Sequence, residues 1–152
     1  MLVERIFLFG PPGSGKSTLV QEADALGHSA FDIEKFARTK KKRAVVALQH
    51  FQQNSNGRIL YGSADYSYQR LPRGSFTVLL HPDFFVYFFR LLKRDILHPH
   101  KFGQHAFDVY HRHAMDQDKY HYVVRSSSSP NQTVQDIYRA ADHFFIKQHP
   151  NL

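Results

Sequence analysis

Apolar residues come along this chain in short runs separated by turn formers, and the spacing inside each run predicts an element. Residues 5 to 9, Arg-Ile-Phe-Leu-Phe, are apolar on both alternating faces, as a strand buried in a parallel sheet must be. A Gly/Pro-rich loop at 10–15 leads into a helix from Lys16 to about Leu26, which Gly27 closes in a left-handed conformation. His28 to Asp32 reads as a second strand and Glu34 to about Gln53 as one long helix, broken at residues 54 to 57, Asn-Ser-Asn-Gly. Residues 58–62 and 76–80 read as further buried strands, with a turn-rich segment at 63–75 between them. Pro82 and Asp83 suit the first turn of a helix running to about Ile96, because proline lacks only an N–H that this turn does not use and the acid meets the positive dipole end. A loop at 97–103 and a helix from about Gln104 to Lys119 precede a fifth strand, His121 to Val124. Ser129, Pro130, Asn131 and Gln132 form a capping-box signature opening a last helix to about Lys147, where Val134, Ile137, Ala141 and Phe144 repeat at helical spacing and are expected in the core.

Strands thus alternate with helices from end to end, which calls for a parallel sheet covered on both faces, with the ligand at the carboxyl ends of the strands. The 152 residues suit a single domain, 1–152, without internal repeat or linker. With 42% hydrophobic and 22% charged residues the chain has a globular composition, and its lack of cysteine excludes disulfide scaffolds, cysteine-ligated metals and thiol nucleophiles. The strongly apolar run Phe84 to Phe89 is too short to cross a bilayer and the start lacks a signal peptide's basic region, so a cytoplasmic protein with no membrane partner is expected. A net charge of +7 favours an anionic partner, whether nucleotide, phosphorylated metabolite or nucleic acid.

Gly10, Pro11, Pro12, Gly13, Ser14, Gly15, Lys16, Ser17 and Thr18 follow the P-loop pattern, preceded by a strand and followed by a helix. Glycines let the backbone close on phosphates while the helix start turns its positive end toward them. Lys16 is expected on the β- and γ-phosphates and the Ser17 hydroxyl on Mg²⁺.

This loop, the acidic pair Asp32 and Glu34 after the second strand, the helix Asp83 to Arg94, and Tyr122-Val-Val-Arg125 followed by Ser-Pro and a helix together resemble the small P-loop kinases of the adenylate kinase and shikimate kinase group. The resemblance implies a three-layer P-loop NTPase fold with a five-stranded parallel sheet in the order 2-3-1-4-5. It also implies ATP at the P-loop, a short lid at about 97–104, and an acceptor site across the cleft. Within it, Asp32 looks like the acid that steadies Mg²⁺ or orients the acceptor hydroxyl, and Glu34 like a second acceptor contact; as plain structure, Asp32 would cap a helix and Glu34 would be a first-turn acid. Arg90 and Arg94, one turn apart, look like the pair that clamps transferring phosphate. They could equally form the polar stripe of a helix whose other face holds Phe84, Phe85, Phe88, Phe89 and Leu92. Arg112 is a weaker lid candidate and Arg125 could lie near the adenine.

The third strand ends Leu60, Tyr61, Gly62, Ser63 in place of the Asp-Gly-Phe-Pro-Arg run of adenylate kinases, which points away from a nucleoside monophosphate acceptor. Gly62 more resembles the glycine that admits a small polyol or acid in shikimate-type kinases. The lid segment carries Lys101 but no arginine. Arg38, Lys40, Lys41, Lys42 and Arg43 could dock a phosphorylated acceptor or nucleic acid, or be a solvated helix face. The histidines at 98, 100, 105, 111 and 113 lack an i, i+4 pair, and no zinc site is expected. The expected function is Mg²⁺- and ATP-dependent phosphoryl transfer to a small metabolite, with Lys16, Asp32, Arg90 and Arg94 catalytic and Glu34, Arg38 and Gly62 on the acceptor. A kinase acting on a nucleotide or nucleic-acid 5′ end, and a non-catalytic ATP- or GTP-binding regulator, are the alternatives. The absent Asn-Lys-x-Asp signature weighs against GTP.

Overall fold

A computed structural model describes residues 3–36, 39–54, 57–62, 71–97, 103–125 and 129–150. The strands are β1 (Glu4–Phe9), β2 (Ser29–Asp32), β3 (Arg58–Gly62), β4 (Phe76–Leu80) and β5 (Tyr122–Val124). All pair in parallel, in the order β2-β3-β1-β4-β5. The helices are α1 (Lys16–Ala25), α2 (Ile33–Phe36), α3 (Lys40–Gln53), α4 (Phe84–Leu97), α5 (Gly103–Met115) and α6 (Pro130–Gln148), with a 3₁₀ turn at Gln117–Lys119.

Successive side chains of a strand point to opposite faces, so the apolar runs build two cores. On one face Ile6, Leu8, Leu60, Phe76, Val78 and Leu80 meet Leu19, Val20 and Ala23 of α1 and Val134, Ile137, Ala141 and Phe145 of α6. On the other, Phe7, Phe9, Ile59, Tyr61 and Leu79 pack with Ile33, Ala47 and Phe51 of α2 and α3. A separate cluster of Tyr87, Leu91, Ala106 and Tyr110 joins α4 to α5.

Several local expectations need correction. The stretch expected as one helix from Glu34 to Gln53 is two: Thr39 adopts an extended conformation and its side chain accepts from the Lys42 N–H, and a helix cannot run through its own N-cap. The helix expected to reach Lys119 ends at Met115, the chain tightening into the 3₁₀ turn. Asp83 precedes α4 as its cap, its carbonyl accepting from Tyr87 N at 2.9 Å, so Pro82 lies outside the first turn. In α6 Val134, Ile137 and Ala141 are buried and Phe144 packs, partly buried, against the same core as expected, while Phe145, 4% exposed, goes deeper, because eleven residues from Val134 come within about 20° of whole turns and ten do not. Phe144 packs from the side on Phe76 and His121. Ser129 caps Gln132 N, but the Gln132 amide turns to Asp136, so the box closes on one side only. On α4, Tyr87 and Leu91 are buried while Phe84, Phe85, Phe88, Phe89 and Leu92 are exposed.

Candidate active site

The chain leaves β1 for β2 on one side of the sheet and β4 for β5 on the other, which opens a crevice at the carboxyl ends of β1 and β4. The loop after β1 fills its floor. Gly10 is required by contact, since a Cβ there would come within 2.4 Å of Ser14 Oγ and 2.7 Å of the Leu80 carbonyl. Gly15 caps α1 at φ 101° with no side chain to offer, so the helix starts without a side-chain cap on its first N–H groups. Ser14 Oγ is buried without a hydrogen-bond partner among the described residues. Lys16, 8% exposed, donates to the carbonyls of Gly10 (2.7 Å) and Pro11 (3.1 Å). Its ammonium is thereby held against the loop that would carry phosphate.

At the end of β2, Asp32 is 6% exposed and pairs in register with Gly62. Its Oδ2 accepts from Ser17 Oγ at 3.0 Å and its Oδ1 from Glu34 N at 3.1 Å. One carboxylate thus both caps α2 and reaches the P-loop hydroxyl. A hydroxyl and a carboxylate are hard oxygen donors, which fits a site completed by Mg²⁺ and nucleotide phosphates. Glu34 Oε1 is buried with no hydrogen-bond partner among the described residues. A Cβ at Gly62 would come within 2.8 Å of Val20 and 3.7 Å of the Asp32 carboxyl, so glycine keeps α1 and the acid close to the strand end.

From the opposite wall, Arg90 Nη1 reaches the Ser14 carbonyl at 3.5 Å. Tyr87, fully buried, donates its hydroxyl to the Pro12 carbonyl at 2.7 Å and so ties α4 to the loop. Nothing in the Phe-rich sequence around Tyr87 signalled this contact. His81, after β4, bonds the Tyr110 carbonyl at 3.1 Å, and burial lowers its pKa. His113 shares a 3.2 Å hydrogen bond with Tyr120, whose ring lies on Phe9. Burial first, then the nearby charge of Lys16, bring the His113 pKa down to about 4.

Arg112 is exposed on α5, and Arg125 is exposed after β5, bonded to Gln117. Lys41 and Lys42 are exposed in the first turn of α3. Arg94 lies on α4, one turn after Arg90; its side chain is outside the described structure, as are Arg38, His98, His100, Lys101 and most of the expected lid.

The strand order and the loop after the first strand define the fold of the small P-loop kinases of the adenylate and shikimate kinase group. Among solved structures, the chain is similar to shikimate kinase from Acinetobacter baumannii in complex with shikimate, at 20% identity and TM-score 0.60, covering 89% of this chain and 90% of that one. It is likewise similar to a gluconokinase from Sinorhizobium meliloti, at 16% identity and TM-score 0.61, covering 96% and 98%. No protein-family model matches the chain, and no curated protein matches it in sequence. At these identities the likeness shows the fold.

Proposed function

We propose that the protein transfers the γ-phosphoryl group of ATP to a hydroxyl of a small-molecule acceptor. The observation that carries this reading is the Ser17–Asp32 hydrogen bond beside a P-loop whose lysine is already seated. In this reading Lys16 and the α1 N-terminus bind the β- and γ-phosphates, and Arg90 and Arg94 clamp the transferring group from α4. Ser17 and Asp32 would hold Mg²⁺, which when bound would supply charge neutralisation to the phosphates. Asp32 takes the acceptor proton as the acceptor oxygen bonds to the γ-phosphorus and the bond to ADP breaks. Glu34, with its buried oxygen, and the end of β3 at Gly62 beside Asp32 would face an acceptor that carries hydrogen-bond donors. The segment 97–104 would close over the cleft to exclude water, and Arg125 would lie near the adenine.

A second reading, an acceptor that is itself polyanionic, such as a nucleic-acid 5′ end, draws on the exposed Lys41 and Lys42, with Arg38 beside them in sequence. Titration calorimetry with Mg·ATP tests the nucleotide site. Lys16→Ala is expected to weaken binding by about 10- to 100-fold, the worth of a hydrogen bond to a charged group. Equal binding by the two proteins would refute the site. Screening metabolites, nucleosides and oligonucleotides for stimulated ADP release then separates the two acceptor readings.

A further inference from the structure

On α4, Phe84, Phe85, Phe88, Phe89 and Leu92 are 41%, 73%, 37%, 64% and 41% exposed. At the angular step of a helix these five positions span an arc of about 140°. Lys93 and Arg90 border it on one side, and on the other stand Phe107 and His111 of α5, whose rings touch those of Phe84 and Phe88. A phenylalanine presents roughly 150–250 Å², so the exposed fractions make a patch of roughly 500 Å², near the upper end of what a monomer leaves open to water.

We propose that this face is a homodimer interface, in which α4 packs antiparallel against α4 of a second copy about a two-fold axis between Phe88 and Phe89. The sequence of the arc is self-complementary. Reversed about that centre, Phe85 of one helix falls on Leu92 of the other, and Phe88 and Phe89 flank the axis, each beside its own symmetry mate, as an isologous contact demands. The polar ends agree: the Asp83 end of one helix comes beside Lys93 of the other, and the two helix dipoles oppose. Homodimer interfaces are about 65% apolar, so two such patches correspond to roughly 1,500 Å² in total, within the range of stable interfaces. The +7 charge of each copy opposes association, but at a screening length of about 8 Å it acts mainly at the rim. An anionic bilayer could also receive an aromatic arc edged by Arg90 and Lys93; the two-fold symmetry of the pattern favours a second copy. The pairing is independent of the phosphoryl-transfer reading.

Sedimentation velocity at tens of micromolar protein is expected to give twice the chain mass for the wild type. It should give the monomer for Phe85→Glu/Phe89→Glu, with thermal unfolding and Mg·ATP affinity little changed because both side chains are exposed. The chain has no cysteine, so a single Phe88→Cys reports the axis: under mild oxidation with diamide it should cross-link to its own symmetry mate, while Phe84→Cys, displaced along the antiparallel helix, should not. A monomeric wild type, a double variant that still dimerises, or equal cross-linking of the two cysteine variants would overturn the proposal. A wild type that is monomeric but sediments with phosphatidylglycerol vesicles and not phosphatidylcholine vesicles would reassign the face to lipid.

Discussion

Replacing Asp32 by asparagine and, separately, by alanine distinguishes its structural work from its proposed chemical work. The buried carboxylate receives two hydrogen bonds, from Ser17 Oγ and Glu34 N. Asparagine keeps an oxygen for the Glu34 N–H and turns a donor toward the serine hydroxyl, so both contacts persist in neutral form. The loss is the difference between charged and neutral hydrogen bonds, about 1 kcal/mol each, and it is offset by removing a buried charge from a costly environment. Asp32→Asn should therefore unfold within a few degrees of wild type. Alanine leaves the Glu34 N–H unpaired, at about 1–3 kcal/mol, while the exposed Ser17 hydroxyl turns to water, so the melting temperature should fall by roughly 2–12 °C in a domain of this size. Function should divide differently. Asp32→Asn is expected to lower phosphoryl transfer by about 10²–10⁴-fold and to blunt the Mg²⁺ dependence of ATP binding while leaving Mg²⁺-free binding nearly intact. Calorimetry with and without Mg²⁺, ADP release with the acceptor, and thermal unfolding together measure this. An asparagine variant with wild-type transfer would reduce Asp32 to a helix cap; one as unstable as the alanine variant would refute the hydrogen-bond accounting.

Tyr87→Phe removes the 2.7 Å bond to Pro12 and strands a carbonyl in the loop, costing about 1–3 kcal/mol. Amide exchange across residues 10–15 should accelerate and ATP affinity fall; unchanged exchange would mean that the loop holds itself. His50, His81, His113 and His121 all have pKa values lowered by burial, so the folded protein keeps them neutral where the unfolded chain, near 6.5, takes up protons. Stability should accordingly be level above about pH 7 and decline as pH falls through 6.5 toward 4. The His113 share is of order 1 kcal/mol at pH 5 once its partial exposure is discounted. Urea midpoints that hold or rise between pH 7 and 5, or a His113→Gln variant with an undiminished slope, would contradict this.

The P-loop was legible because nine consecutive residues carry their own backbone demands and donor groups, and the strand before it and helix after it announce themselves by apolar period. Alternation of strands and helices likewise led to the sheet, whose order 2-3-1-4-5 came through the resemblance that these residues carried and which the structure has. Local pattern fails where two local solutions compete or where the answer lies far along the chain. The residues from 34 to 53 read as one helix because helical propensity outweighs a single threonine, yet Thr39, once extended and bonded to Lys42 N, restarts the helix. In α4, apolar residues occur nearly all the way round, so periodicity could not choose which stripe faces inward. The choice fell to α5 and the P-loop, which receive Tyr87 and Leu91 and leave the phenylalanines outside. Tyr87 and Pro12 lie 75 positions apart, and no short-range signal joins them. Sequence determined the chemistry that resides in one loop and the elements that bear it. Tertiary structure decided which faces meet, because burial is a property of neighbours that a single segment does not contain.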